Sequence, residues 1–227
     1  MAIPNFTTNN SNNSNGDDSP VRVLVPLCGK TVDMAFLAKH ASVSQVVGID
    51  GIAEALLEFV KEHPSLNIVL DEATTHKDAK DPDFECYVGT KILLVRGDFF
   101  ETTTERTRGS FEVVWDRASL VAIDPSLRMD YVETIGQLLK PGGKILLVVI
   151  ERYDTVNEQT TTGETVTKQV PNRSQGPPFA LFEDDVRTLY EGQPWVESVQ
   201  VLSDHGEQNR NQGTNMGSKY YLITAKK

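Results

Sequence analysis

Short apolar runs alternate with amphipathic segments from Val21 to the end of the chain. Apolar runs bounded by turn residues predict buried strands, and apolar residues at helical spacing predict helices between them. Such alternation is typical of a mostly parallel sheet that is covered by helices on both faces. We therefore expect one α/β domain over residues 21–227, which is long enough to bury a substantial core.

The first part of this domain is predicted to contain two strand-turn-helix units. Their strands are residues 21–25 and 46–49, and a turn at Gly29 separates the first strand from its helix. The apolar positions that indicate the two helices are Val32, Phe36 and Leu37 in the first, and Ile52, Leu56, Leu57, Phe59 and Val60 in the second. We expect the second helix to end at His63, because the residue before a proline disfavours helical backbone.

The rest of the domain is predicted to add a hairpin whose second arm is a buried strand, two helices and four further strands, for seven strands in total without the first hairpin arm. Gly89-Thr90 lies between two arms that can pair, which is typical of a hairpin turn. Asp124-Pro125 supplies a cap and a first-turn proline for a helix that Pro141 would end. The expected segments are a hairpin over 85–88 and 91–96, strands over 111–115, 144–150, 196–202 and 220–224, and a last helix over 179–190. The strand over 144–150 is the most hydrophobic and is expected to be central.

Two polar segments stand outside this pattern. Residues 1–20 are dominated by Asn, Ser, Thr and Asp, and such a composition buries too little apolar area to offset the entropy of ordering. We expect a disordered arm there. Residues 151–176 are rich in Thr, Glu, Gln and Asn and are too long for an ordinary connection, so they are predicted to form either a mobile lid or a disordered insertion.

The composition narrows the partners that we expect. The net charge of -10 argues against nucleic acid and acidic membranes, which reward a clustered basic face, and favours a small molecule. The chain has two cysteines, no apolar run that could cross a bilayer and no leader before the first strand, so we expect a soluble, cytoplasmic monomer. The four histidines are scattered and no metal-ligand spacing is visible, so no metal is expected.

The candidate chemistry lies where the first strand passes through a glycine turn into a helix. Nucleotide-like cofactors bind at such junctions. The second strand ends on Asp50, about twenty residues downstream, where an acid can hold both ribose hydroxyls. Alternatively, Asp50 caps the next helix and Gly29 only permits a tight turn. The run after Leu27 also resembles the end of a phosphate loop, but Leu24 stands where that loop requires a glycine, which argues against a nucleotide hydrolase.

Four blocks of the sequence resemble the thiopurine S-methyltransferase family. They are PLCGK at 26–30 with Asp33-Met34 and Asp50, GDFF at 97–100, VWDRASLVAIDP at 114–125 and GPPF at 176–179. The resemblance extends from Val21 to the C-terminus and implies a Rossmann-like methyltransferase sheet of seven strands, whose last strand is antiparallel. It also implies S-adenosyl-L-methionine as cofactor.

The resemblance further implies roles for individual residues. It places Leu27, Gly29, Asp50, Gly97, Asp98 and Arg117 at the cofactor, with Asp50 on the ribose and Gly97-Asp98 at the adenine edge, and it places Arg117 and Arg210 at the substrate. Other interpretations stay open for several of them. Gly97-Asp98 is also an ordinary turn, Phe99 and Phe100 suit the core as well as the adenine ring, and Arg117 can instead pair with Asp116 or Asp124.

The predicted reaction is methyl transfer to the sulfur, or selenium, of a small thiol. Thiols are partly ionised at neutral pH, so no catalytic base is assigned. The alternatives are a halide or sulfide acceptor, or a cofactor-binding module without turnover. Residues 1–20 do not match the tryptophan-containing stretch that covers the cofactor in this family, so we expect an incomplete start, a cover formed by 151–176, or lost activity.

Overall fold

The computed structural model describes residues 20–73, 84–162, 164–204 and 215–227. Its strands are β1 (Val21–Pro26), β2 (Val43–Asp50), β3 (Val69–Leu70), β4 (Glu85–Gly89), β5 (Ile92–Arg96), β6 (Phe111–Arg117), β7 (Leu139–Gln159), β8 (Thr165–Pro171), β9 (Val196–Asp204) and β10 (Met216–Ala225). Its helices are α1 (Val32–Ala38), α2 (Ala53–Glu62), α3 (Arg128–Leu138) and α4 (Glu183–Glu191). None of these helices is long and apolar enough to span a membrane. The predicted arm over 1–20 lies outside the described residues, apart from Pro20.

The strands form a sheet in the order β3-β4-β5-β2-β1-β6-β7-β10-β9, and β8 pairs with β7 beside it. The five strands from β5 to β7 in this order are parallel to one another. The last strand, β10, runs antiparallel to both β7 and β9. The predicted α/β fold with an antiparallel last strand is therefore confirmed. The expected strand number of seven is too low, because the described residues contain ten strands.

The direction of strand succession reverses at β1, because β2 and β5 lie on one side of it and β6 and β7 on the other. In open α/β sheets, ligands bind beyond the carboxyl ends of the strands at such a reversal. The ends of β1, β2, β5 and β6 are thereby brought to one edge of the sheet. Every predicted cofactor residue is either the last residue of one of these four strands or part of the turn that follows it.

Helices cover both faces of the sheet, as predicted. Met34 and Leu37 of α1 and Phe59 of α2 belong to one buried cluster, whereas α3 and α4 pack in the other cluster through residues such as Tyr131 and Val186. The apolar set expected for α1 is partly wrong. Val32 and Phe36 are 65% and 52% exposed, and the helix buries Met34, Ala35, Leu37 and Ala38 instead.

Two helix boundaries also differ from the predictions. The third helix ends at Leu138, before Pro141 is reached, because β7 begins at Leu139. The last helix begins at Glu183 rather than Phe179. The backbone N–H groups of Phe179 and Leu181 donate instead to the carbonyls of Val121 (2.6 Å) and Ile150 (3.0 Å), so this stretch is bound to the turn after β6 and to β7 and is not helical. Asp124 caps the short 3₁₀ turn Pro125–Leu127, where its side chain accepts from the N–H of Ser126, and not α3 as predicted, because α3 begins without a side-chain cap.

The polar segment over 151–176 has strand structure. The far end of β7 pairs antiparallel with β8, from Tyr153 opposite Pro171 to Gln159 opposite Thr165. At the base of this hairpin, Arg173 donates to the carboxylates of Asp184 and Asp185 at the start of α4. The guanidinium also lies over the Phe182 ring, 4.4 Å from its centre. These contacts fasten the hairpin to α4. The role of the hairpin as a lid stays a prediction.

Candidate functional site

Asp50 joins the turns that follow β1 and β2. Its side chain is almost fully buried, with 8% of the residue exposed. One carboxylate oxygen accepts from the N–H of Gly29 (2.7 Å) and the other accepts from the N–H of Ile52 (2.8 Å). The N–H of Cys28 also donates to the carbonyl of Ile49 (2.9 Å). Asp50 therefore organises both turns, and it is not the cap of α2, which begins without a side-chain cap.

The turn after β1 is tightly wound and open on its outer side. Leu27 and Gly29 both have left-handed backbone, with φ of 42° and 49°. For a leucine this conformation costs about 1 to 2 kcal/mol, and such strain is concentrated at functional sites. A Cβ atom on Gly29 would meet no atom within 4 Å. The open space permits a ligand to approach the backbone closely.

The position of this turn depends on close packing between α1 and β2. A Cβ atom on Gly48 would lie 2.5 Å from Met34 Sδ and 2.7 Å from Cys28 Sγ, so only glycine fits there without displacement. Burial, and secondarily the nearby Asp50 carboxylate, raises the pKa of the Cys28 thiol well above its ordinary value. Cys28 is therefore protonated at neutral pH and serves as a packing residue.

The turn after β5 lies beside Asp50. The N–H of Gly97 donates to the Asp50 carbonyl (3.2 Å), and the Asp98 carboxylate accepts from the N–H of Phe100 (2.9 Å). Phe99 is 3% exposed and packs against Tyr131, with 5.0 Å between ring centres. Of the two interpretations of Phe99, the structure supports a core residue. Gly97 and Asp98 lie at the same edge as Asp50.

Arg117, at the end of β6, is held by the start of α1. Its Nε donates to Asp33 Oδ2 (2.5 Å), and its Nη2 lies 3.4 Å from Thr31 Oγ1. The Trp115 indole N–H donates to the same Asp33 oxygen (3.0 Å). The alternative of an ion pair with Asp116 or Asp124 is therefore wrong, because the partner of Arg117 is Asp33.

Asp116, which was named above only as a possible partner of Arg117, supports the site. It is buried, and it accepts from the N–H groups of Ser119 and Leu120 (both 3.2 Å) and from the Tyr131 hydroxyl (2.8 Å). Burial raises its pKa to about 6, although these hydrogen bonds act in the opposite direction. Ser119 Oγ in turn donates to the Pro26 carbonyl (2.6 Å), so Asp116 fastens the turn after β6 to the end of β1. An acid directly after the apolar run Val113-Val114-Trp115 was the available signal.

The structure thus brings most of the predicted residues to one edge of the sheet. Leu27 and Gly29 follow β1, and the other members of this group are Asp50, Gly97, Asp98 and Arg117. Arg210 lies outside the described residues, so its predicted place at the substrate stays a prediction.

The comparison with solved structures concerns the fold. The chain is similar to a 1,6-didemethyltoxoflavin-N1-methyltransferase from Burkholderia thailandensis, solved with S-adenosylhomocysteine, with a TM-score of 0.52 and 13% identity over 92% of this chain and 72% of that one. It is also similar to the [4+2]-cyclase SpnF, with a TM-score of 0.57 and 13% identity over 92% of this chain and 76% of that one. Different chemistries thus use this fold.

The comparison with sequences is more specific. Residues 9–226 match the family model of thiopurine S-methyltransferase. The chain is 35% identical to a thiopurine S-methyltransferase of Vibrio cholerae over 75% of its own length and 64% of that protein's length. It is 30% identical to a protein from Danio rerio named probable thiopurine S-methyltransferase, over 91% of this chain and 79% of that one. The chain therefore spans somewhat less than two thirds of the Vibrio protein, and it belongs to the thiopurine S-methyltransferase family.

Proposed function

We propose that this protein transfers a methyl group from S-adenosyl-L-methionine to the sulfur of a small thiol. The observation that carries the proposal is the Asp50 carboxylate at the end of β2. A carboxylate has about four acceptor sites, and the described contacts of Asp50 use two of them, for Gly29 and Ile52. Two sites are left for the paired hydroxyl donors of a ribose.

Neighbouring residues suit the rest of an adenosine group. Ile52 follows Asp50 closely and is 60% exposed, which offers apolar surface to a purine ring. Asp98 has acceptor capacity beyond its bond to Phe100 and could receive an exocyclic amine. The open space at Gly29 allows the rest of the cofactor to approach the β1 turn. These residues therefore fit an adenosine cofactor.

The acceptor side is assigned to Arg117. When bound, the cofactor would supply an electrophilic methyl group to an acceptor sulfur, which would provide the electron pair of the new bond, while the pair of the broken bond would stay on the cofactor sulfur. The Arg117 guanidinium would attract a thiolate and orient it. The proton of the thiol goes to water, because thiols ionise near neutral pH, so the chain need not supply a base.

The hairpin of β7 and β8 is assigned as a lid over the acceptor. Arg117 pairs in register with Val148, and β7 continues from there to Gln159, beyond the edge of the sheet where the cofactor residues lie. A cover at this edge would exclude water from the reacting atoms. Arg210 lies outside the described residues, and its role at the substrate stays a prediction from the family resemblance.

The experiment offers the purified protein S-adenosyl-L-methionine with one acceptor from each class: an aromatic thiol, an aliphatic thiol, a selenol, a sulfide and iodide. Mass spectrometry then detects the methylated product. We expect the aromatic thiol to react fastest, since it is the most ionised of the thiols at neutral pH. Methylation of iodide or the sulfide alone would favour the halide or sulfide alternative. Cofactor binding without any product would favour a binding module.

A further inference from the structure

We propose that Asp33 is the residue that positions Arg117 for the acceptor thiolate. The inference rests on the proposed function, because it assigns the acceptor to Arg117. Asp33 and Arg117 are 84 residues apart in the chain and meet where the end of β6 lies beside the start of α1. Asp33 is therefore a positioning residue that acts through Arg117 rather than through the acceptor.

The contacts hold the guanidinium along one edge. Asp33 Oδ2 accepts from Arg117 Nε at 2.5 Å, and Thr31 Oγ1 lies 3.4 Å from Nη2. Within the described ranges, the structure records no contact for Nη1. The edge formed by Nε and Nη2 thus faces Asp33 and Thr31 at the start of α1. The N–H donors of Nη1 and the second N–H of Nη2 are available to an anion.

Asp33 is itself fixed in place. The oxygen that accepts from Arg117 also accepts from the Trp115 indole N–H at 3.0 Å, and the Asp33 N–H donates to Thr31 Oγ1 at 3.3 Å. The Asp33 side chain is 18% exposed, whereas that of Arg117 is 50% exposed. A half-exposed arginine samples many rotamers, and fixing it beforehand removes part of the entropy cost of binding an anion.

The competing explanation is that Asp33 only stabilises α1. An acid in the first turn of a helix interacts favourably with the helix dipole, and Asp33 lies in that turn. Asp130 provides a matched control, because it is an exposed acid in the first turn of α3. An ion pair whose arginine is half exposed contributes little to stability, so loss of the contact between Asp33 and Arg117 should affect activity much more than folding.

The test compares Asp33→Asn, Asp33→Glu and Asp130→Asn with the unchanged protein, using an aromatic thiol. We expect Asp33→Asn to lower kcat/KM for the thiol by about 10- to 100-fold, as misplacement of an orienting group does. Its affinity for S-adenosyl-L-methionine should change by less than about threefold, because the Asp50 contacts are untouched. Asp33→Glu should restore part of the activity, and Asp130→Asn should equal the unchanged protein.

A double variant separates positioning from independent effects. If Asp33 acts through Arg117, adding Asp33→Asn to Arg117→Gln should lower kcat/KM no further than Arg117→Gln alone. Additive losses, or full activity of Asp33→Asn, would overturn the inference while leaving the proposed function intact. If the unchanged protein methylates no thiol, the proposed function fails first, and the role of Asp33 fails with it.

Discussion

Replacing the buried Asp116 by asparagine should remove a specific part of the pH dependence of stability. The pKa of this carboxyl is raised from 3.8 to about 6, with burial as the largest cause. In the pH range between these two values, the folded protein holds a proton that the unfolded chain has lost. Stability therefore decreases as the pH rises through this range, and it stays lower at neutral pH.

The magnitude follows from the size of the shift. One pKa unit corresponds to about 1.4 kcal/mol, so a shift of roughly two units costs the ionised folded state about 3 kcal/mol. According to the linkage relation, about 2 kcal/mol of stability is lost between roughly pH 4 and pH 7 because of this group. An asparagine keeps the shape of the side chain and can still accept from the N–H groups of Ser119 and Leu120, but it cannot ionise.

The assay is urea unfolding of the unchanged protein and of Asp116→Asn, at several values between about pH 4 and pH 7. The free energy of unfolding of Asp116→Asn should rise by about 2 kcal/mol relative to that of the unchanged protein as the pH rises. Asp130→Asn, on the exposed side of α3, is the control substitution. If the two free energies of unfolding differ by the same amount, within about 0.5 kcal/mol, at every pH tested, the raised pKa of Asp116 is refuted.

Two further perturbations test the packing around the site. Gly48→Ala would place a Cβ atom 2.5 Å from Met34 Sδ, so calorimetry should show a free energy of unfolding that is lower by about 1 to 3 kcal/mol. An unchanged melting temperature would contradict the close packing of α1 on β2. Arg173→Gln removes the ion pairs with Asp184 and Asp185, so amide exchange should become faster over 165–171 and not in β1. Equal exchange rates in the hairpin would show that other contacts hold its base.

Much of the fold could be predicted from the sequence, because it depends on local patterns. The alternation of apolar runs and amphipathic segments identifies β1, β2, β5 and the helices between them. It fails for the buried face of α1, where the close approach of Gly48 selects Met34 and leaves Val32 and Phe36 exposed. It also fails for β8, since a mostly polar strand with no buried residue leaves no clear hydrophobic pattern.

The candidate site, too, could be predicted from the sequence only in part. Gly29 and Asp50 were identifiable because the cofactor motif requires them at a defined place relative to two strands. The partner of Arg117 was not identifiable, since Asp33 lies far away in the chain and only the register of β1 and β6 brings the two together. The support that Asp116 gives to the turn after β6 likewise depends on the packing of Tyr131 from α3.

The central claim is that Asp50 holds the ribose of S-adenosyl-L-methionine at the end of β2. Isothermal titration of the unchanged protein with this cofactor, and with its demethylated product, tests it most directly. We expect saturable binding that Asp50→Asn weakens at least about tenfold, because an amide replaces one acceptor oxygen by a donor. Asp130→Asn should bind as the unchanged protein does. Absence of binding by the unchanged protein, or equal affinity of Asp50→Asn, would contradict the account.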